Sequence, residues 1–423
     1  MKRLILLIAL TATIFAAVTE NKANVQEVKS RAILWKNGEA QYLTDKDGEA
    51  VAYSVYVSDG DIYVAGTKRG ARFDVATLWK NGVAQSLTDG KSSPVSVHSV
   101  YVSGSDVYVV GHQVNKQLEG AILWKNGAAQ NLSDGKTNAF ARSVYVSDDD
   151  VYVSGYERRN TQKKDAATLW KNGISQSITD GVRYADAYSV YVSDSDVYVA
   201  GYEYNVQGKA VATLWKNGIA QSLTDGRNHA SVRSVYISDG DIYMAGSENN
   251  APGKRIVKFW KNGIAQDLTD GPTEARANSI CVSGNDIYVA GYKVNESGKM
   301  VATLWKNGEV QYLTNGRAEA EAHSVYVSGG DVYVAGYETL PGYSFTAELI
   351  AILKKHAPGA GSGGQAVAGG TKYIRNGSAG YDVAYRIDGN YILRGAGYDV
   401  AYRIDGNYIL RGSAGYDVAY RID

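Results

Sequence analysis

Between residues 31 and 338 the chain alternates apolar and polar positions in short runs, and the runs recur. Each begins with Ala-Thr-Leu, Ala-Ile-Leu or a variant leading into Trp-Lys-Asn-Gly, and a Gln and then Leu-Thr-Asp-Gly usually follow. Period-two alternation predicts strands. Asn-Gly between two such runs predicts a tight hairpin, because both central residues of a type I′ turn need positive φ. A second unit follows each time: Ser-Val-Tyr-Val-Ser, a short turn, then Asp-Val-Tyr-Val-Ala-Gly or a close variant, as at Ser54 to Gly66 and Ser189 to Gly201. β-branched and aromatic residues flanking a Gly/Asp/Ser turn predict a second hairpin. Each period thus holds four strands.

The seven tryptophans count the periods. Trp35, Trp79, Trp124, Trp170, Trp215, Trp260 and Trp305 are spaced by 44 to 46 residues, and all lie in Trp-Lys-Asn-Gly. Seven four-stranded units with few helix signals predict an all-β chain, a seven-bladed β-propeller over 31–338. Its first hairpin (Ala32 to Thr44) and its last (Ser324 to Gly336) are complementary halves, so the two ends should complete one blade and leave no open seam. Ala351-Ile352-Leu353-Lys354-Lys355 echoes Ala32-Ile33-Leu34-Trp35-Lys36 without the Trp or the turn. Over 339–356 this leaves open a strand competing for the same seat, an added outer strand, or a short helix.

The repeats resemble those of secreted bacterial β-propeller proteins built from many Trp-Lys-Asn-Gly and Ser-Val-Tyr-Val-Ser copies, which are largely uncharacterised. The resemblance implies a fold and no activity. The Trp-Asp dipeptide of WD40 repeats and the Trp-docking motif of quinone-dependent dehydrogenases are both missing.

The flanks read differently. Lys2 and Arg3 precede an apolar stretch from Leu4 to Val18, and a polar run follows, which is the order of a signal peptide over residues 1–24. The stretch is short for a bilayer span of roughly 20 residues, so the expectation is an exported chain (periplasmic, cell-surface or extracellular) without a membrane span after cleavage. Residues 357–370, APGAGSGGQAVAGG, read as a flexible linker. Over 371–423 Tyr-Asp-Val-Ala-Tyr-Arg-Ile-Asp recurs at Tyr381, Tyr398 and Tyr416, with Asp388-Gly389 and Asp405-Gly406 as hairpin turns. This small β-hairpin domain weakly resembles the flower-like tail repeats of some bacterial surface and secreted proteins. It is expected to stabilise or oligomerise the chain, or to attach it to the surface.

Composition narrows the function classes. Among 423 residues, 44 Lys+Arg balance 44 Asp+Glu, which gives no global field to attract nucleic acid. The single Cys281 excludes an intrachain disulfide and a Cys-based zinc site, and standing where other copies have Tyr it reads as buried and inert. No Gly-x-Ser-x-Gly, phosphate-cradling Gly loop or His-Glu-x-x-His is found; neither cofactor nor metal is implied. The recurring turn aspartates, Asp61 to Asp331, read as bonding their own backbone. The Trp residues, and Tyr56, Tyr63, Tyr101 and Tyr108, read as packing between blades.

Where the seven copies differ is where recognition could sit. The residue before each Ser of the innermost strand varies: Tyr53, His98, Arg142, Tyr188, Arg233, Asn278 and His323. Two residues earlier stand Val51, Ser96, Phe140, Asp186, Ser231, Arg276 and Glu321. These predict two rings at one mouth of the central channel, of types enriched at recognition surfaces. The expectation is a non-enzymatic module binding a protein or glycan partner. The competing readings are an extracellular polysaccharide hydrolase or lyase using carboxylates such as Asp186 and Glu321, and a purely structural surface component.

Overall fold

The computed structural model describes residues 29–339, except 46–47, 116–117, 159–163, 250–253, 270 and 272, together with six strands between 372 and 421. The signal peptide, the 340–356 segment and the linker fall outside the described residues.

Seven four-stranded antiparallel sheets form the blades of the propeller. In the first, Ala50–Ser58 pairs with Asp61–Arg69, which pairs with Asp74–Lys80, which pairs with Val83–Ser86. Blades two to six repeat this order over 95–131, 139–177, 185–222, 230–267 and 275–312. The seventh is composite: Ala320–Ser328 and Asp331–Thr339 supply its inner half, and Ser30–Lys36 with Glu39–Tyr42 its outer half. The seam is an antiparallel ladder in which Ile33 faces Gly336 and Trp35 faces Val334. All seven Asn-Gly pairs adopt positive φ, near 50° at Asn and 80–88° at Gly, as the hairpin turn requires.

The core lies between blades. Every Trp is 0 or 1% exposed, and each packs toward the preceding blade: Trp79 joins Ala32 and Leu34 of the seventh blade, and Trp35 joins Tyr288 and Leu304 of the sixth. Six of the seven indole N–H groups, all but that of Trp215, find no acceptor there. Such a loss costs about 1–3 kcal/mol each, against the about 3–5 kcal/mol that removing a buried Trp side chain typically costs.

Around the axis, a belt of serines closes the ring. Each innermost-strand Ser Oγ accepts the backbone N–H of a residue in the next blade: Ser54 from Val100, Ser99 from Val144, Ser143 from Val190, Ser189 from Val235, Ser234 from Ile280, Ser279 from Val325, and Ser324 from Val55, at 3.1–3.4 Å. An inner strand has an unpaired edge, and these bonds satisfy it without another strand. Tyr63 and Tyr108 are buried between blades as expected, whereas Tyr56, Tyr101, Tyr145, Tyr191 and Tyr236 are only half-buried. Their rings contact blade to blade around the axis at 4.6–5.2 Å, and Tyr326 closes on Tyr56 at 4.6 Å. Cys281 takes the missing place, where burial pushes its thiol up to about 11.

In the tail, Lys372–Ile374, Tyr385–Asp388, Tyr391–Arg394, Asp399–Asp405, Tyr408–Arg411 and Asp417–Arg421 form one antiparallel sheet in chain order.

Candidate functional site

The two ends of the channel are built on opposite plans. At the turn end every blade carries one polar unit: Lys80 Nζ lies 2.7 Å from Asp61 Oδ2, Asn81 Nδ2 donates to Asp61 Oδ1, and Asn81 Oδ1 accepts the Ile62 N–H. The unit recurs in all blades with Lys–Asp distances of 2.6–2.8 Å. This corrects the reading of the turn Asp. Its carboxylate serves the Lys and Asn of the Trp-Lys-Asn-Gly hairpin, and those bonds hold it below the ordinary carboxylate value.

At the other end the innermost strands begin, and there each carries a β-bulge. The ladder slips between Ala52 and Ser54, and at the equivalent place in every blade. The extra residue is Tyr53, His98, Arg142, Tyr188, Arg233, Asn278 or His323, so all seven residues singled out from the sequence occupy bulges. A bulged residue drops out of strand pairing and its side chain is re-aimed. Opposite each bulge the second strand presents a Gly because nothing larger fits: a Cβ on Gly201 would lie 1.9 Å from the Asp186 carbonyl oxygen, and on Gly66 2.1 Å from that of Val51.

The bulge side chains meet their neighbours. Tyr53 stacks on His323 at 5.0 Å and approaches His98 at 6.1 Å. His98 Nε2 is 3.1 Å from His112 Nδ1, and His112 meets Phe140, which stacks on Tyr156. Burial, followed by the charge of Arg142, pushes both histidines down, His112 to about 3, so both are neutral at neutral pH. Arg142 overlies Phe140, Tyr156 and Tyr188 at 5.0–5.7 Å and donates to Asp186 Oδ2 at 2.9 Å. Burial, the largest influence, would lower the Arg142 guanidinium; the charge and hydrogen bond of Asp186 together with Tyr188 and Tyr156 outweigh it and the net shift is upward. Arg233 overlies the same Tyr188 ring at 4.5 Å. Asn278 donates to Glu321 Oε1 and to the Ala322 carbonyl, and Glu321 Oε2 is 3.5 Å from His323 Nε2. Burial opposes the charge of Glu321, yet His323, Arg276 and Asn278 together hold its carboxyl at about 2.

A third set of lining residues escaped the sequence reading. Thr67, His112, Tyr156, Tyr202, Ser247, Tyr292 and Tyr337 follow the Gly of the second strand and pair with Val51, Ser96, Phe140, Asp186, Ser231, Arg276 and Glu321. They too vary between copies, which is the signal that would have found them. Among the described residues no three His, Cys, Asp or Glu side chains gather as a metal site, and no helix is long and apolar enough to cross a membrane.

No known protein family and no curated protein matches this sequence. Solved structures resemble it at low identity. A protein assigned as TolB from Agrobacterium tumefaciens is 11% identical over 74% of this chain and 99% of its own, with a TM-score of 0.41. The acylaminoacyl peptidase of Pyrococcus horikoshii is 14% identical over 72% of this chain and 54% of its own (TM-score 0.42). A puromycin-hydrolyzing peptidase of Mycobacterium tuberculosis is 12% identical over 70% and 56% (TM-score 0.47). Likenesses of this degree carry over no activity.

Proposed function

We propose that this chain is an exported binding module whose channel mouth, ringed by the seven bulge residues, receives part of a protein or glycan partner, while the repeats beyond residue 371 attach or oligomerise it. The observation that carries this reading is the placement of the variation. The copies differ at the inner-strand position that a bulge frees from pairing and at the paired positions that line the mouth beside it, while the serine next to the bulge is kept in every blade. Aromatic, Arg and His side chains gathered at a concave mouth are the composition of a recognition site. A polysaccharide-cleaving reading finds less support. Burial raises the Asp186 carboxyl, but Arg142 occupies it, and Glu321, held at about 2, carries no proton to donate at neutral pH.

The test is capture from glycan arrays and surface extracts by the whole chain, beside a variant with Tyr53, His98, Tyr188 and Arg233 changed to Ala. Capture by the parent and not by an equally folded variant is the expected result. Equal capture by both would move recognition away from the mouth.

A further inference from the structure

The charges at the mouth do not cancel. Before any histidine is counted, Arg142, Arg233 and Arg276 face two carboxylates, Asp186 and Glu321, within the two inner-strand rings. Arg142 takes Asp186, and Glu321 is bonded by Asn278 and His323. Arg255, nearby, bonds Tyr292 and Glu274. Arg233 and Arg276, in adjacent blades, form no hydrogen bond or ion pair through their side chains among the described residues; Arg276 acts on Glu321 through its charge alone, and Arg233 has only the Tyr188 ring beneath it. Burial, then the charge of Arg276, pushes Arg233 down to about 10. A half-buried cation without an anionic partner is costly to keep, and residues that break a local rule without a structural gain are where function is expected.

We propose that Arg233 and Arg276 form a receptor for a single carboxylate, presented by an Asp or Glu side chain of a protein partner that inserts into the mouth between blades five and six. This rests on the reading of the mouth as a binding surface and names the chemistry it accepts. The planar guanidinium fork matches a carboxylate with two parallel N–H···O bonds, and the surplus of one cation matches a monoanion. A protein segment fits better than an acidic sugar because the rings of the two inner-strand sets, on which a pyranose would lie, already carry neighbours. Tyr53 lies on His323, His98 on His112 and Phe140 on Tyr156, and Tyr188 is overlaid by both Arg142 and Arg233.

The experiment uses the full chain against arrayed peptides in which a central Glu or Asp is matched by Gln or Asn, with oligogalacturonate and its methyl ester alongside. Acidic peptides should be held at least tenfold more tightly than their amide counterparts. Arg233→Met should abolish that preference while leaving Tm unchanged or higher, since it removes an unpaired cation; a merely structural arginine would lower Tm. Arg233→Lys, which keeps the charge without the fork, should fall between, and Arg276→Gln should weaken the preference severalfold. Equal binding of acid and amide peptides, or a preference that survives Arg233→Met, would overturn the proposal. So would capture of oligogalacturonate alone, or no capture of any probe. If amide and acid peptides bind alike but the fourfold Ala variant of the mouth loses both, only the carboxylate assignment falls and the binding reading stands.

Discussion

The turn end and the bulge end of the same seven blades have been treated in opposite ways. At the turn end Lys, Asn and Asp recur without exception, and every blade makes the same bonds within itself. At the bulge end four residue types share seven positions, and their contacts run mostly between blades, some paired and some not. The difference follows from the backbone. A turn with positive φ at two residues and a Lys–Asp–Asn unit across its base accepts few alternatives, whereas a bulge places one side chain outside the ladder, where almost any residue fits. Repetition therefore keeps the geometry that stacks the blades and frees the positions that face the channel.

That contrast can be broken in graded steps. The largest effect is expected from the shared core: Trp260→Ala should cost about 3–5 kcal/mol in denaturant unfolding, since the ring is fully buried against the preceding blade. At the mouth, Glu321→Gln should act mainly through pH. The wild-type carboxyl titrates near 2 when folded against an ordinary 4.5, so its contribution is complete above about pH 4.5 and is lost as pH falls toward 2. The variant's stability should be flatter across that window by something on the order of 2–3 kcal/mol, read from acid unfolding. Ser189→Ala unpairs the Val235 N–H in the serine belt and should cost about 1–3 kcal/mol. Smallest of all should be Asp196→Asn at the turn end, whose exposed pair with Lys216 should matter at low salt and vanish from melting curves in high salt. A result in which the turn-end change outweighed Ser189→Ala would reverse the contrast.

Much of this was legible in the sequence, because hairpins are local. Asn-Gly set the turns, the Trp spacing counted the blades, and the mismatched half-hairpins at either end predicted the composite seventh blade. The varying residues were found by comparing copies. What they sit on was not, although a trace was there: buried positions follow Ala50 and Ala52, then change parity to Val55 and Val57, which is the mark of one inserted residue. The turn aspartates were misread because their partners lie about 20 residues away at the end of the neighbouring strand, beyond any local rule. The unpaired state of Arg233 depends on which side chains the other blades turn toward it, and no spacing along the chain encodes that.

The composite blade also fixes an order of events during synthesis. The strand Ser30–Lys36 is made among the first of the propeller, yet its neighbour Asp331–Thr339 emerges last. Until those two strands pair, the Ser30–Lys36 edge of the first hairpin has no partner and the ring is open. Non-local pairing of this kind is slow, and an unpaired strand edge is a template for another chain, so the seam is where two copies would exchange halves.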